Sequence, residues 1–382
     1  MFQPVVVIRI PRLALLLATT ALAVGAFLAA PALSAAQQAN WLNVANKGIA
    51  NARTKGFFNP GEDWYNVFLN DGRQYPLATV WDVVPLLEAI DGRALADPSK
   101  TNRKYAADHA KYAERYWNGD LPPHGGYAPY PGDRGASDHV WFDDNSWWGL
   151  QFVDAYRATH NKRFLKDAKK ASDYVDASGW DGGGGMWWES QHQSHSLEAL
   201  ASATALSADI YLYTKPHNTT YKDRALKYIS WADSNARHDY PLYSNDTQPV
   251  MTYVEGSMIG AQLALCQAGR QGSCGRAEDL ANAAINWWGW YPYPNQCPQT
   301  DTIMFRFLVQ LSGYDRNPRW WDWAAMNAQQ ALDRAKTGGL FLNFWDGSSP
   351  LAHGGCQDQP NQLKVHGAAV EMFAWLAAVP RP

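Results

Sequence analysis

Apolar residues recur at helical spacing from about residue 40 to the end of the chain. Segments such as VVPLLEAI (83–90) and ALKYISWA (225–232) have the spacing of packed helices, and no comparable stretch alternates with period two. The pattern therefore predicts an all-α chain with twelve helices. Their predicted ranges are 40–55, 79–91, 101–117, 144–159, 161–178, 192–213, 219–236, 254–268, 276–290, 300–314, 318–336 and 361–378.

The connections between these helices alternate in length. Those after even-numbered helices are short, as in ATHNK (158–162) and TKPHNT (214–219), whereas those after odd-numbered helices are long and rich in Gly, Trp, Asp and Pro. The long connections cover 56–78, 118–143, 179–191, 237–253, 291–299 and 337–360. Strict alternation predicts six helical hairpins in a ring, an (α/α)6 barrel, with the even helices inside. All six long loops then gather on one open face, and loops of that length usually carry function.

The N-terminus has the pattern of a secretory signal peptide. Arg9 and Arg12 precede an apolar run over 13–30, and small residues follow it. We expect a signal peptide over 1–36, a secreted catalytic domain over 37–382 and no membrane span after cleavage. The alternative is an uncleaved N-terminal anchor, because a run of 18 residues just suffices to cross a bilayer.

Charge and composition indicate which classes of ligand the protein can bind. The net charge is −3 and no run of five like charges occurs, so the chain has no basic field for nucleic acid. It contains 19 Trp and 19 Tyr, more than core packing requires, and many stand beside Gly, Pro, Asn and Asp in predicted loops. Exposed aromatic side chains of this kind usually bind a ligand.

The four cysteines predict two disulfides, because an exported protein meets an oxidising compartment. Cys266 and Cys274 flank the short turn after the eighth helix, whereas Cys297 and Cys356 lie in long loops before the neighbouring tenth and twelfth helices. The barrel arrangement therefore favours Cys266 with Cys274 and Cys297 with Cys356 among the three possible connectivities.

The stretch HVWFDDNSWWGL (139–150) carries the chemistry. Asp143 and Asp144 stand between aromatic residues at the start of the fourth helix, which is an inner helix of the predicted barrel. Free backbone N–H groups and the helix dipole favour carboxylates at that point, so helix capping alone is the plain alternative. The aromatic cluster, the inner helix and the open face together favour a glycosidase, which needs two carboxyl groups at the scissile bond.

Two carboxyl groups this close should titrate as a coupled pair. The first proton leaves easily, and repulsion and apolar walls hold the second. One ionised and one protonated acid is the resting state of a retaining glycosidase. The residues alone do not decide which acid has which role.

The motif WFDDNSWWGLQFVDAY (141–156) resembles that of glycoside hydrolase family 76, the endo-α-1,6-mannanases, which have an Asp pair followed by Asn and an aromatic residue. The resemblance extends to GGGMWWE (183–189), TYVEGSMIGAQLAL (252–265) and GGLFLNFWDG (338–347), and so to essentially the whole mature chain.

This resemblance implies an (α/α)6 barrel that hydrolyses internal α-1,6-mannosidic bonds with retention and without a metal or other cofactor. It implies Asp143 as nucleophile and Asp144 as acid/base. Two features depart from the family pattern: SHSLEALASA (194–203) lacks the Asn-rich stretch of the sixth helix, and Glu255 stands where Gln is more usual.

Nine further residues are candidates for substrate binding. They are Trp81, Asp82, Trp141, Trp147, Trp187, Trp188, Tyr253, Glu255 and Arg306. Trp187 and Trp188 could form a sugar platform or close the mouth of the barrel. Those at helix starts could contact sugar or merely cap and pack, and Arg306 could reach sugar hydroxyls or form a buried ion pair.

No metal site is expected. His192 and His195 stand three residues apart near the sixth helix, but no third ligand is in view, which favours hydrogen bonding over zinc. We expect a monomer that acts on α-mannan or a related mannose-containing polysaccharide. Two alternatives stay open: a transglycosylase of the same fold and a glycan-binding barrel without catalytic activity.

Overall fold

The structure is a computed structural model that describes residues 36–71, 77–135, 139–236, 241–289, 293–294, 296–354 and 356–382. The predicted signal peptide lies outside the described residues, apart from its last position. Within them the chain forms the twelve helices that the sequence predicts. Their bounds are 36–54 (α1), Val80–Ala96 (α2), Lys100–Ala113 (α3), Phe142–Thr159 (α4), Lys162–Tyr174 (α5), Leu197–Tyr213 (α6), Thr219–Asn235 (α7), Thr252–Gln267 (α8), Ser273–Trp288 (α9), Pro298–Asp315 (α10), Pro318–Arg334 (α11) and Leu363–Ala378 (α12).

The even-numbered helices form a closed inner ring. Each contacts the next even-numbered helix along the chain, and α12 packs against α2 to close the circle. Of the odd-numbered helices, α3, α5, α9 and α11 each pack against the even-numbered helices on both sides of them in sequence, and α7 packs against α6. The predicted (α/α)6 barrel is therefore confirmed.

Burial explains why the two sets of helices read differently in sequence. On α8 every residue from Thr252 to Cys266 is buried, whereas α7 buries only one stripe of its surface. A helix that is apolar all round belongs in the interior, and an amphipathic one covers it. Gly92 on α2 allows close packing in the ring, because a Cβ atom there would lie 3.2 Å from the Cβ of Ala374 on α12.

Two short turns on the closed face, those after α4 and α10, share one construction. His160 and Arg316 end α4 and α10 in the left-handed conformation, with φ of 59° and 64°. The next residues, Asn161 and Asn317, cap α5 and α11 with their side chains, as Asn218 caps α7. Asparagine serves well here because its side-chain oxygen accepts a backbone N–H that the first helical turn leaves free.

Three antiparallel hairpins, with strands of two residues each, lie in the long connections. They pair Phe58–Asn59 (β1) with Trp64–Tyr65 (β2), Trp117–Asn118 (β3) with Gly126–Tyr127 (β4), and Lys336–Thr337 (β5) with Leu340–Phe341 (β6), all antiparallel. Strands of this length are too short to produce a period-two pattern, so the sequence does not predict them.

The start of α6 differs from the prediction. The sequence pattern places it at 192, but the helix begins at Leu197. His195 instead forms a β-bridge with Trp187, and Ser196 caps the helix by accepting from the N–H groups of Glu198 and Ala199. Contacts with the preceding Gly-rich loop thus hold in extended form a segment that periodicity assigns to the helix.

Both disulfides have the predicted pairing. Cys266 and Cys274 are bonded across the turn between α8 and α9, and Cys297 and Cys356 join the loops before α10 and α12. No described helix is both long enough and apolar enough to span a bilayer.

Candidate active site

The predicted acidic pair lies in the first turn of α4. The turn is fixed from outside, because the backbone N–H of Phe142 donates to the carbonyl oxygen of Trp188 at 2.9 Å and Asn145 holds the backbone of Tyr127 with both ends of its amide. Asp143 and Asp144 are each only partly exposed. The helix start and the Gly-rich loop together place the two carboxyl groups in the cleft of the open face.

The cleft contains a cavity of about 370 Å³. Its lining residues are Thr79, Trp81, Trp141, Asp143, Asp144, Trp188, Glu198 and Tyr253. Four of them hold the same place in the barrel, because each is the second residue of an inner helix: Trp81 on α2, Asp143 on α4, Glu198 on α6 and Tyr253 on α8. The cavity is therefore built by the mouths of successive inner helices.

Asp143 accepts hydrogen bonds at both oxygens. The backbone N–H of Asp144 donates to Oδ1 at 3.0 Å, and the indole Nε1 of Trp188 donates to Oδ2 at 3.4 Å. Burial and the charge of Glu198 raise the pKa of Asp143 to about 7, and these two donors oppose the rise. The site thus stabilises the anion of Asp143 by direct contacts while withdrawing it from water.

Asp144 lies in a harsher electrostatic setting. Burial, followed by the negative charges of Asp143 and Asp82, raises the pKa of Asp144 well above its ordinary value, and Lys364 only partly offsets this. No described side chain donates a hydrogen bond to its carboxylate. Of the two acids, Asp144 is therefore the one that retains its proton.

Aromatic side chains form the walls of the cavity. Trp188 is 42% exposed, and Trp141 stacks on His139 with ring centroids 4.5 Å apart. Trp81 packs against Tyr253, with ring centroids 5.6 Å apart. Flat apolar faces beside two carboxyl groups match what a pyranose ring and its glycosidic oxygen require.

Trp147 does not line this cavity, which corrects its predicted role. Its side chain is 1% exposed and lies beneath Tyr253, to whose hydroxyl oxygen its indole N–H donates. It supports a cavity wall from behind.

Asp82 and Glu255 are also behind the cavity, so of the two roles that the sequence leaves open for them the structure has capping and packing, not contact with sugar. Asp82 closes a capping box with Thr79, accepting the Thr79 hydroxyl at 2.8 Å, and so fixes a residue that does line the cavity. Glu255 is fully buried and accepts the backbone N–H of Tyr243 at 2.7 Å. Burial raises the pKa of Glu255 to about 8.

Trp187 and Arg306 are likewise outside the cavity. The ring of Trp187 stacks on His195 and His192, with ring centroids 3.7 Å and 5.1 Å away. Histidine rings therefore cover the face of Trp187 that a sugar would need. Arg306 is 1% exposed and forms ion pairs with Glu88 and Asp154 in the barrel core. Of the two roles that the sequence leaves open for Arg306, the structure has the buried ion pair.

Two cavity residues were not identified from the sequence. Thr79 is the N-cap of α2, and Glu198 adds a third carboxyl group to the cavity. The signal for Glu198 was available in principle, since it has the position on α6 that Asp143 has on α4. It was missed because the predicted helix began five residues too early.

The histidines near this loop have protein partners. The Nε2 atom of His195 lies 2.9 Å from Oδ2 of Asp181, and Nε2 of His192 lies 3.0 Å from the carbonyl oxygen of Ser178. Among the described residues, one cluster has the spacing of a metal site, namely Cys297, Cys356 and Asp358, and its two sulfurs are joined in a disulfide.

Part of the chain matches a known protein family. Residues 127–306 match the model of glycosyl hydrolase family 76, a range that contains the Asp pair and the mouths of α4, α6 and α8. No curated protein sequence matches the chain.

Solved structures with this fold include several of that family. A family 76 mannosidase from Bacteroides thetaiotaomicron VPI-5482 has 22% identity and a TM-score of 0.72, over 89% of this chain and 98% of that one. A family 76 α-mannanase from Bacteroides thetaiotaomicron has 16% identity and a TM-score of 0.77, over 90% of this chain and 98% of that one.

A third similar structure contains a sugar. It is an inactive variant of an α-1,6-mannanase from Salegentibacter sp. HEL1_6, with two consecutive Asp→Asn substitutions, in complex with α-1,6-mannotriose. It has 15% identity and a TM-score of 0.70, over 89% of this chain and 99% of that one. Residues 127–306, which include the Asp pair at the mouth of α4, thus match glycosyl hydrolase family 76, and the chain shares its barrel fold with solved structures of that family.

Proposed function

We propose that this protein is a secreted endo-glycosidase that hydrolyses internal α-1,6-mannosidic bonds of mannan with retention of configuration. The observation that carries the proposal is the cavity in which Asp143 and Asp144 lie together between Trp81, Trp141 and Trp188. The α-1,6-mannanase with the same fold binds α-1,6-mannotriose and is described as inactive when two adjacent aspartates are replaced. That likeness supports the choice of linkage.

The hydrogen bonds favour Asp143 as the nucleophile and Asp144 as the acid/base. Asp143 accepts two N–H groups, which stabilise its anion, whereas Asp144 faces the charges of Asp143 and Asp82. At the pH where Asp143 has ionised, Asp144 is still protonated. Two acids whose surroundings separate their pKa values are the usual basis for dividing these roles.

The reaction then proceeds in two displacements. Asp144 gives its proton to the glycosidic oxygen as a carboxylate oxygen of Asp143 attacks the anomeric carbon, so the C–O bond breaks and a glycosyl ester forms. The shortened mannan leaves with a free hydroxyl. Asp144, now ionised, takes a proton from water, whose oxygen displaces Asp143 and restores both acids to their starting states.

We further propose that residues 37–382 act as one catalytic domain and a monomer, exported by the N-terminal segment. Both disulfides are compatible with an extracellular location. The cleft takes residues from four of the six inner helices, so the ring must be assembled before the site exists.

Reducing-end release tests this proposal. Wild-type protein should release reducing ends from linear α-1,6-mannan, with oligosaccharides as early products, and should leave α-1,2- and α-1,3-linked mannans intact. Asp143→Asn should abolish release while the protein keeps its melting temperature or gains on it. Binding of mannan without release by wild type would indicate a glycan-binding barrel, and products longer than the oligosaccharides supplied would indicate transglycosylation.

A further inference from the structure

A third carboxyl group faces the catalytic pair from the mouth of α6. Glu198 is the second residue of that helix, and its charge acts on Asp143 across the cavity. Its contacts indicate what it does.

One oxygen of Glu198 is held firmly. Oε2 accepts the hydroxyl of Ser196 at 3.0 Å and the amide Nε2 of Gln248 at 2.7 Å. The other end of the Gln248 amide accepts the backbone N–H of Leu197 at 2.7 Å, which fixes the orientation of the amide. Gln248 lies in the loop before α8, and two hydrogen bonds between Asn245 and Gln248 close a turn in that loop. Glu198 is therefore held in one orientation before any ligand binds.

The other oxygen of Glu198 is left for a ligand. Among the described residues no group donates to Oε1, and no lysine, arginine or histidine there forms an ion pair with Glu198. An ionised carboxylate has further acceptor capacity, and a partly buried one is costly unless that capacity is used. Burial raises the pKa of Glu198 above its ordinary value, and the hydrogen bonds from Ser196 and Gln248 oppose the rise.

We propose that Glu198 is a sugar-binding residue of this active site, whose Oε1 accepts a hydrogen bond from a ring hydroxyl of the mannosyl unit attacked by Asp143. This inference rests on the proposed function. A hydroxyl donor satisfies the remaining oxygen, and the Ser196–Gln248 contacts set its direction, so the contact selects the orientation of the sugar. Hydrogen bonds to a charged partner discriminate strongly against ligands that lack the donor.

The same carboxylate affects the titration of the site. Its charge acts on Asp143 of α4 and on Tyr253 of α8, and Asp143 acts in turn on Asp144, which also faces Asp82 of α2 and Lys364 of α12. Because the charge of Glu198 raises the pKa of Asp143, Glu198→Gln should lower that pKa. The acidic limb of kcat/KM should then move to lower pH, which a purely structural residue would not cause.

The test uses an aryl α-1,6-mannobioside and its derivatives that lack the 2-, 3- or 4-hydroxyl of the mannosyl unit bearing the aryl group. On the parent compound Glu198→Gln should lower kcat/KM about 10- to 100-fold. For one deoxy derivative the wild type should lose a similar factor, and Glu198→Gln should lose nothing more. Such non-additivity identifies the hydroxyl that Glu198 binds.

Two further variants complete the design. Glu114→Gln changes another partly buried glutamate, whose pKa is raised to about 7 but which pairs with Arg163 outside the cavity, and it should leave all rates unchanged. Glu198→Asp keeps the charge but withdraws the carboxylate, so it should repeat the substrate-dependent loss even if Glu198→Gln folds poorly.

The outcomes separate the two proposals. Equal losses for Glu198→Gln on the parent and every deoxy derivative, or no loss on any, would overturn the role of Glu198 while leaving the hydrolase intact. A wild type that cleaves neither the mannobioside nor linear α-1,6-mannan would instead overturn the proposed function itself.

Discussion

Replacing Arg306 should destabilise the fold rather than weaken substrate binding. The sequence leaves open a contact with sugar hydroxyls, whereas the structure buries the guanidinium between Glu88 and Asp154. Arg306→Met keeps much of the side-chain volume but removes the charge. Glu88, which is 2% exposed, then loses the cation with which it pairs, whereas Asp154, which is fully buried, keeps its ion pair with Arg157.

The cost can be estimated from this burial. Breaking a buried ion pair by deleting one partner costs about 3–5 kcal/mol, because the remaining charge stays in a medium that solvates it poorly. A total stability of about 5–15 kcal/mol makes this a large fraction. At roughly 2 °C per kcal/mol for a chain of this size, the melting temperature should fall by about 6–10 °C.

The deficit should also depend on pH. Burial already raises the pKa of Glu88, and Arg306 is the main group that lowers it. Without Arg306 the folded protein binds more protons than the unfolded chain at every pH between the ordinary glutamate pKa and the raised one. The stability of the variant should therefore fall as pH rises through that window, and its deficit against wild type should be smallest on the acid side.

Thermal melts from pH 5 to 8, together with kinetics on mannan, check this prediction. The matched control is Arg163→Met, whose side chain is 54% exposed and pairs with Glu114 at 3.4 Å. It should change stability by less than about 1 kcal/mol. If Arg306→Met melted like the wild type but raised KM for mannan, the arginine would contact substrate and the structural account would be wrong.

Three other predictions concern the site and the ring. Asp144→Asn should lose most activity on mannan but keep more on a dinitrophenyl mannoside, whose leaving group needs no proton; equal losses would contradict its role as acid. Wild-type kcat/KM should decrease below about pH 7, because Asp143 gains a proton there. Trp188→Phe removes a donor that lowers the pKa of Asp143, so the acidic limb of kcat/KM should move to higher pH. An acidic limb that stays in place would refute the contact between Trp188 and Asp143. Gly256→Ala would bring a Cβ atom within 2.6 Å of the α10 backbone and should destabilise by about 1–3 kcal/mol in thermal melts, whereas Gly275→Ala on α9, with open space around it, should not; similar melts for the two variants would contradict the packing.

The sequence was sufficient for the architecture because that information is local. Helical periodicity and the alternation of short and long connections predict twelve helices in a ring with one open face, and both survive errors of a few residues at helix ends. The same two signals place Asp143 and Asp144 at the mouth of an inner helix. They also place the cysteines so that the disulfide pairing follows.

Depth within the barrel could not be predicted in the same way. An inner helix is buried on all sides, so its sequence does not show which residues face the cavity and which face its neighbours. Distance from the helix start separates some of these residues. Trp81 and Tyr253, both second residues of inner helices, line the cavity, whereas Trp147 and Arg306 lie further along their helices and are buried beneath it.

An error of five residues at one helix start was therefore enough to hide Glu198. The segment before Leu197 is held in extended form by Trp187 and Trp188, whose backbones pair with His195 and Ser194. These contacts are tertiary, and the local sequence does not report them.

The configuration of the first sugar released tests the central claim most directly. Proton NMR during hydrolysis of linear α-1,6-mannan should show the α-anomer of the new reducing end first, with the β-anomer appearing only through mutarotation. Asp143→Asn should give no signal. If the β-anomer appeared first, the enzyme would invert, and Asp143 could not be a nucleophile that forms a covalent intermediate.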